Sequence, residues 1–217
     1  MGYLTSHPGW ADISLNLDTG HVFVQEKWHY EWFADPGAEA WSLAEKRAFH
    51  ALVDQQIWSV WSSGQFHLRV RGKGEFVRKF PTRLPVSEFD IKWVLKGGHW
   101  QVRARKTAPG AALTRDDDSE VKFRERKIFL TKKDFAPNRG AQNAAGKTTA
   151  HFPTGAHEFG HTVATSKDNL HDEYGAGNAN LADTDSIMNI GRKVRARHLE
   201  ALLEELNKMI PGTQFYL

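Results

Sequence analysis

The segment that decides the fold is His157-Glu158-Phe159-Gly160-His161, in the last third of a 217-residue chain. Two histidines four positions apart lie one above the other on the same face of a helix, so both imidazoles can bind one metal ion. Glu158 lies beside them, where its carboxylate can accept a proton from water whose pKa the metal has lowered. The alternative is a pair of surface histidines with Glu158 as a helix former. The segments that follow the motif argue against that alternative.

The composition narrows the class of protein. The hydrophobic fraction is 40% and the charged fraction is 25%, which are typical of a soluble globular protein, and the length suits one domain. The absence of cysteine excludes disulfides, thiolate nucleophiles and Cys-ligated zinc, so any metal must be bound by His, Asp or Glu. A net charge of +3 does not indicate a nucleic-acid partner. No stretch is long and apolar enough to span a membrane. We therefore expect no nucleic-acid or membrane partner. We also expect the protein to be a monomer.

Two segments downstream of the motif extend the pattern. Residues 171–174 read His-Asp-Glu-Tyr, and residues 185–190 read Asp-Ser-Ile-Met-Asn-Ile. Together with the motif they resemble the metzincin branch of the zinc peptidases, and more closely the bacterial zincins that carry HEFGH, a DEY element and a Ser-Ile-Met turn. The resemblance covers roughly residues 151–200 and does not extend over the first 120 residues. It implies that Met188 lies in a Met-turn, which forms a hydrophobic floor beneath the metal and is not a ligand.

The third metal ligand departs from the usual metzincin spacing. That spacing would place Gly at Ala164 and the ligand at Lys167, and lysine cannot serve as a ligand. An insertion of four or five residues leads instead to His171 or Asp172. His171 would complete a set of three histidine ligands. Asp172 matches the DEY element of the bacterial zincins, in which the Asp is the third metal ligand. We favour Asp172, keep His171 as the alternative, and regard Glu173 as a less favoured choice.

Two more residues are candidates for stabilising a transition state. His198 stands at the start of the last helix, shortly after the Met-turn, where it either faces the cleft and stabilises an oxyanion or is an exposed helix residue. Tyr174 is a second candidate, because some metzincins place a Tyr near the metal. For Tyr174 we favour a packing role.

The resemblance implies a fold of the α/β (α+β) class, zincin- or metzincin-like, with a twisted mixed sheet, a metal-binding helix and a C-terminal helix. We expect one domain over residues 1–217, with the sheet and first helix in 1–150 and the metal helix, third-ligand loop, Met-turn and C-terminal helix in 151–217. Apolar periodicity predicts a hairpin over residues 13–24, a helix over 39–61, a hairpin turn at Lys96-Gly97-Gly98, strands near 66–71, 89–95, 100–105 and 127–131, a loop over 133–149, and a last helix that ends at Pro211-Gly212.

The predicted function is that of a zinc-dependent endopeptidase with Glu158 as general base and a peptide or protein as substrate. A zinc amidase that acts on cell-wall peptide is an alternative. A non-catalytic binding module stabilised by zinc is another, although a purely structural site has no use for Glu158. Relatives of this kind are often bacterial effectors or toxins. The N-terminus lacks the features of a classical signal peptide, so the resemblance implies export by a non-classical secretion route.

Overall fold

The computed structural model describes residues 2–62, 64, 66–84, 87–111, 119–136, 139–163 and 172–217. These residues form a mixed α+β structure with a twisted mixed sheet and a C-terminal helix, in agreement with the expected class. The strands are β1 (Tyr3–Ser6), β2 (Asp12–Asn16), β3 (Val22–Ala34), β4 (Arg69–Gly72), β5 (Glu88–Val94), β6 (Trp100–Lys106), β7 (Glu120–Lys122), β8 (Lys127–Thr131), β9 (Ala141–Gln142), β10 (Thr148–Thr149) and β11 (Thr213–Tyr216). The α-helices are α1 (Leu43–Trp61), α2 (Glu75–Lys79), α3 (Thr154–Val163) and α4 (Glu200–Met209). Short 3-10 turns cover Phe123–Glu125, Lys132–Phe135 and Ala196–Leu199.

The long strand β3 organises the seven-stranded sheet. It pairs antiparallel with β2 at residues 22–25, parallel with β5 at 23–29 and parallel with β6 at 28–34. A strand has only two edges, so β5 occupies one edge of β3 while β2 and β6 share the other, end to end. Beyond β6 lie β8 and then the short antiparallel strand β7, which forms the edge of the sheet among the described strands.

The predicted hairpin turn at Lys96-Gly97-Gly98 is wrong. Strands β5 and β6 both run parallel to β3 and pair with its opposite edges, so the segment between them crosses β3. The crossing is tight, because the His99 N–H donates to the Lys27 carbonyl at 2.7 Å. A Cβ atom on Gly98 would lie 2.7 Å from the same carbonyl oxygen, so the crossing requires glycine.

Most of the other predicted elements are confirmed, with shifted ends. The hairpin over residues 13–24 is β2–β3, and the last helix ends just before Pro211. Helix α1 begins later than predicted, because Ser42 and Glu45 form a capping box in which each side chain accepts the backbone N–H of the other. The loop prediction for residues 133–149 is wrong in part, since this segment contains the rest of a 3-10 turn and the hairpin β9–β10.

The hydrophobic core holds the metal-motif helix α3 against α1 and the sheet. Trp61 at the end of α1 is fully buried, and its indole N–H donates to the Ala156 carbonyl of α3 at 2.9 Å. Phe159 packs edge-on against the same indole, with ring centroids 5.5 Å apart. These contacts position α3 through both its backbone and its apolar face. In the described part of the chain, no helix combines the length and the apolar character that crossing a membrane would take.

Candidate metal centre

Helix α3 brings the two motif histidines to one point. His157 is buried and His161 is partly buried, and their ring centroids lie 4.9 Å apart with the planes nearly perpendicular. The helix is buried along nearly all of its length, so the metal motif is not an exposed surface feature. This is the arrangement expected for ligands at positions i and i+4.

Three donor atoms converge within hydrogen-bonding distance of one another. Asp172 Oδ1 lies 3.0 Å from His157 Nε2 and 3.0 Å from His161 Nε2, and the two imidazole nitrogens are 3.3 Å apart. Ligands held about 2.0–2.1 Å from a tetrahedral zinc ion lie about 3.3 Å from one another. The triangle formed by His157, His161 and Asp172 therefore has the size and the N,N,O chemistry of three zinc ligands.

The hydrogen bond on the far side of His157 orients its ring. Nδ1 lies 2.8 Å from the Ile187 carbonyl oxygen, which can only accept, so Nδ1 carries the proton and Nε2 has a lone pair in the neutral ring. That lone pair faces the Asp172 carboxylate, which also offers only lone pairs when it is ionised. Such a donor set is complementary to a cation, and the bond to Ile187 is the outer support that metal-binding histidines usually have.

The pKa values of His157 and Asp172 also indicate a site that favours a cation. Burial lowers the pKa of His157, but the Asp172 hydrogen bond and the Glu158 charge outweigh it, so this pKa is raised. Burial would raise the pKa of Asp172, yet hydrogen bonds from His157 and His161 hold this pKa well below its ordinary value. The three donor groups therefore favour a positive charge between them. Without a metal ion, protons supply that charge.

The alternatives for the third ligand have different surroundings. His171 lies outside the described residues. Glu173 is buried with 2% of its side chain exposed, and its carboxylate accepts from Arg197 and lies 3.2 Å from His198 Nε2. Asp172 is the acidic residue of this segment whose oxygen belongs to the converging group.

Met188 lies in a turn that packs against the motif helix. It is fully buried, and a Cβ atom added to Gly160 would overlap its Sδ atom. The turn is closed by Ser186, whose Oγ accepts the Met188 N–H at 3.2 Å and whose carbonyl accepts the Gly191 N–H at 2.9 Å. Met188 therefore contacts the motif helix as an apolar residue and contributes no atom to the donor group.

A cleft of about 290 Å³ opens beside the donor group. Its lining includes His157, Glu158 and Tyr174, and the remaining lining residues are Ser119, Arg139, Gly140, Ala141, Gln142, Phe152 and Thr154. The Tyr174 ring lies 5.7 Å from the His157 ring, centroid to centroid. Tyr174, which the sequence suggested as a packing residue, thus lines the same cleft as Glu158.

His198 lies away from this cleft. Its side chain is fully buried, Nδ1 accepts the Arg195 N–H at 3.1 Å, and Nε2 lies 3.2 Å from the Glu173 carboxylate. Burial lowers its pKa, although Glu173 opposes that effect. Both ring nitrogens of His198 are therefore engaged inside the protein.

Sequence reasoning missed the contact between Arg197 and Glu173. Arg197 Nε and Nη2 donate to the two carboxylate oxygens of Glu173 at 2.5 and 2.7 Å. The basic run that begins at Arg195, placed after an acidic DEY element, was a signal that charge pairing between the two segments could have revealed.

Comparisons with known proteins add no family. A scan against protein-family models gave no match, and neither a search of curated proteins nor a search of solved structures gave a significant one. The roles of the residues in this centre therefore rest on the motif and on the geometry described above.

Proposed function

We propose that this chain is a zinc-dependent peptidase of the zincin type. The observation that carries the proposal is the triangle of His157, His161 and Asp172 donor atoms, 3.0–3.3 Å apart, which adjoins a cleft that Glu158 also lines. The motif and the mixed α+β architecture are compatible with a zincin fold. Glu158 argues for chemistry rather than for a structural ion, because a closed structural site needs no additional base.

In this proposal His157, His161 and Asp172 hold the zinc. A bound zinc ion supplies Lewis acidity, which polarises a carbonyl group and lowers the pKa of water. Glu158 accepts the proton of the attacking water and later donates it to the leaving amine. The bond from His157 to Ile187 keeps the ring oriented throughout. Tyr174 lines the same cleft, where its hydroxyl can donate to the oxyanion that forms at the scissile carbonyl.

The edge strand β7 supports a peptide as the substrate. It pairs with β8 through one edge, and the adjoining residue Ser119 lines the cleft. An extended peptide can add to such an edge through backbone hydrogen bonds, which favours binding with little dependence on side chains. The Ala141–Gln142 strand also lines the cleft.

The proposal is tested by replacing Glu158 while the ligands stay intact. Wild type should contain about one zinc per chain by elemental analysis and should cleave members of a peptide library followed by mass spectrometry. Glu158→Gln should keep its zinc and lose roughly 10²–10⁴-fold in rate, the usual contribution of a general base. Glu204→Gln, an exposed residue of α4, is the matched control. Hydrolysis that persists unchanged in Glu158→Gln, with zinc bound, would refute the mechanism. Cleavage of cell-wall peptides alone would instead indicate an amidase.

A further inference from the structure

Glu173 directly follows the third candidate ligand and is almost fully buried. Its carboxylate receives both Arg197 donors at 2.5 and 2.7 Å and lies 3.2 Å from His198 Nε2. Glu173 is thus a buried carboxylate with a bidentate arginine partner, and removing that partner would leave a buried acidic group uncompensated.

The backbone around the ligand is held from two sides. The Glu173 N–H donates to the Met188 carbonyl at 2.8 Å, and the Asp172 carbonyl accepts from Asn178 Nδ2 at 3.0 Å. The Asp172 side chain itself is 39% exposed, so little packing restrains it. Besides its contacts with His157 and His161, these anchors of the adjoining peptide groups orient the side chain, and Glu173 contributes both a backbone and a side-chain anchor.

Arg197 and its neighbour Arg195 differ in what they touch. Both guanidinium groups donate to the Asp183 carboxylate, but among the described contacts only Arg197 reaches Glu173. The chain therefore contains two arginines of the same charge, in the same segment, of which one contacts the residue beside the ligand. Comparing substitutions of the two arginines therefore separates an effect that depends on the contact with Glu173 from the general effect of removing one positive charge.

We propose that the Glu173–Arg197 ion pair is a positioning device that sets zinc affinity by holding the Asp172 carboxylate at the donor triangle. The inference rests on the metal site of the proposed function. The pair acts through the backbone of residues 172–173 and does not touch the zinc ligands' donor atoms. Outer partners of metal ligands typically contribute 10–100-fold to metal affinity, and we expect an effect of that size here.

The test compares Arg197→Met with Arg195→Met. The zinc dissociation constant is measured by competition with a chromogenic chelator, and the visible absorption spectrum of the cobalt(II)-substituted protein reports the ligand geometry. We expect Arg197→Met to weaken zinc binding about 10–100-fold and to alter the cobalt spectrum. Arg195→Met should stay within about threefold of wild type with an unchanged spectrum. Equal effects of the two variants, or none, would overturn the proposal.

Two further variants keep the test decisive if Arg197→Met does not fold. Arg197→Lys retains the charge but cannot form the two-pronged contact, and Glu173→Gln removes the charge with little change of shape. Each should weaken zinc binding, and wild-type affinity in both would overturn the proposal. The measurements need no substrate, so a protein that binds zinc but cleaves nothing refutes the peptidase while leaving this inference intact. A wild type that binds no zinc refutes both.

Discussion

His157 and Glu173 are held by consecutive carbonyl groups of one turn. His157 Nδ1 donates to the Ile187 carbonyl, and the Glu173 backbone N–H donates to the Met188 carbonyl, both at 2.8 Å. The turn at Ile187 and Met188 therefore holds both His157, a candidate ligand, and Glu173, the neighbour of the candidate ligand Asp172. The turn that carries Met188 thus supports the candidate metal centre, although none of its atoms belongs to the donor group.

Zinc should stabilise the folded protein, because the ligands come from α3 and from a separate segment that the ion would tie together. An ion that binds only the native state adds about 2.7 kcal/mol when its free concentration is 100 times the dissociation constant. We expect the melting temperature to rise on addition of zinc and to fall with a chelator. His161→Ala should abolish the rise, whereas His7→Ala, at an exposed position far along the chain, should keep it. A rise that survives in His161→Ala would place the ion elsewhere.

Gly160→Ala should destabilise the protein even though alanine is the better helix former by up to about 1 kcal/mol. The added Cβ would overlap Met188 Sδ and lie 3.2 Å from the Trp61 ring. Overpacking of this kind typically lowers the free energy of unfolding by about 1–3 kcal/mol. Urea denaturation of the metal-free protein measures this change. Gly175→Ala is the control, because no atom lies within 4 Å of its added Cβ.

Gly160→Ala should lower the free energy of unfolding by less in a Met188→Ala background, if Met188 is the side chain that the added Cβ overlaps. A double-mutant cycle over Gly160→Ala and Met188→Ala measures that coupling directly. Additive effects would show that the two residues do not interact, and the contact between the helix and the turn would then have to be discarded.

The sequence predicted best the features that depend on local spacing. His157 and His161 lie on one face of α3 because helix periodicity requires it, and the last helix follows its apolar stripe. Alternation along β5 and β6 identified both strands but could not show that they pair with opposite edges of β3, because alternation reports which face is buried and not which strand is the neighbour. The Glu173–Arg197 pair joins residues 24 positions apart, a distance at which no periodic pattern applies.

Tyr174 and His198 should respond differently to substitution. Tyr174→Phe keeps the ring beside His157 but removes the hydroxyl that we assign to the oxyanion, so kcat should fall about 10²–10³-fold with KM and zinc content nearly unchanged. His198→Gln should mainly lower the free energy of unfolding, because both ring nitrogens bond inside the protein. Kinetics on a cleaved library peptide and urea titrations separate the two effects. A large fall in kcat for His198→Gln at full stability and full zinc content would assign the oxyanion to His198 instead.

Glu26 should make stability fall as the pH rises from about 4.5 to about 8. This residue of β3 is fully buried beneath the metal-motif helix, where Trp28 Nε1 donates to its carboxyl at 2.7 Å. Burial raises the pKa of Glu26 to about 8, above the value of 4.5 expected in the unfolded chain. Between these pH values the native state keeps a proton that the unfolded state releases, so the free energy of unfolding decreases by roughly 1.4 kcal/mol per pH unit and levels off above about pH 8. Glu26→Gln cannot ionise and should lack this decrease.

The Glu26 prediction is measured as a difference between proteins. Urea denaturation of metal-free wild type and Glu26→Gln across pH 5–9 cancels the titration of groups that the two proteins share. The stability of Glu26→Gln relative to wild type should grow steadily up to about pH 8, the pKa expected for buried Glu26. Glu31→Gln, at an exposed position of the same strand, should follow the wild-type curve. Parallel curves for Glu26→Gln and wild type over this range would mean that the Glu26 carboxyl ionises in the folded protein as it does in the unfolded chain, and the raised pKa would be wrong.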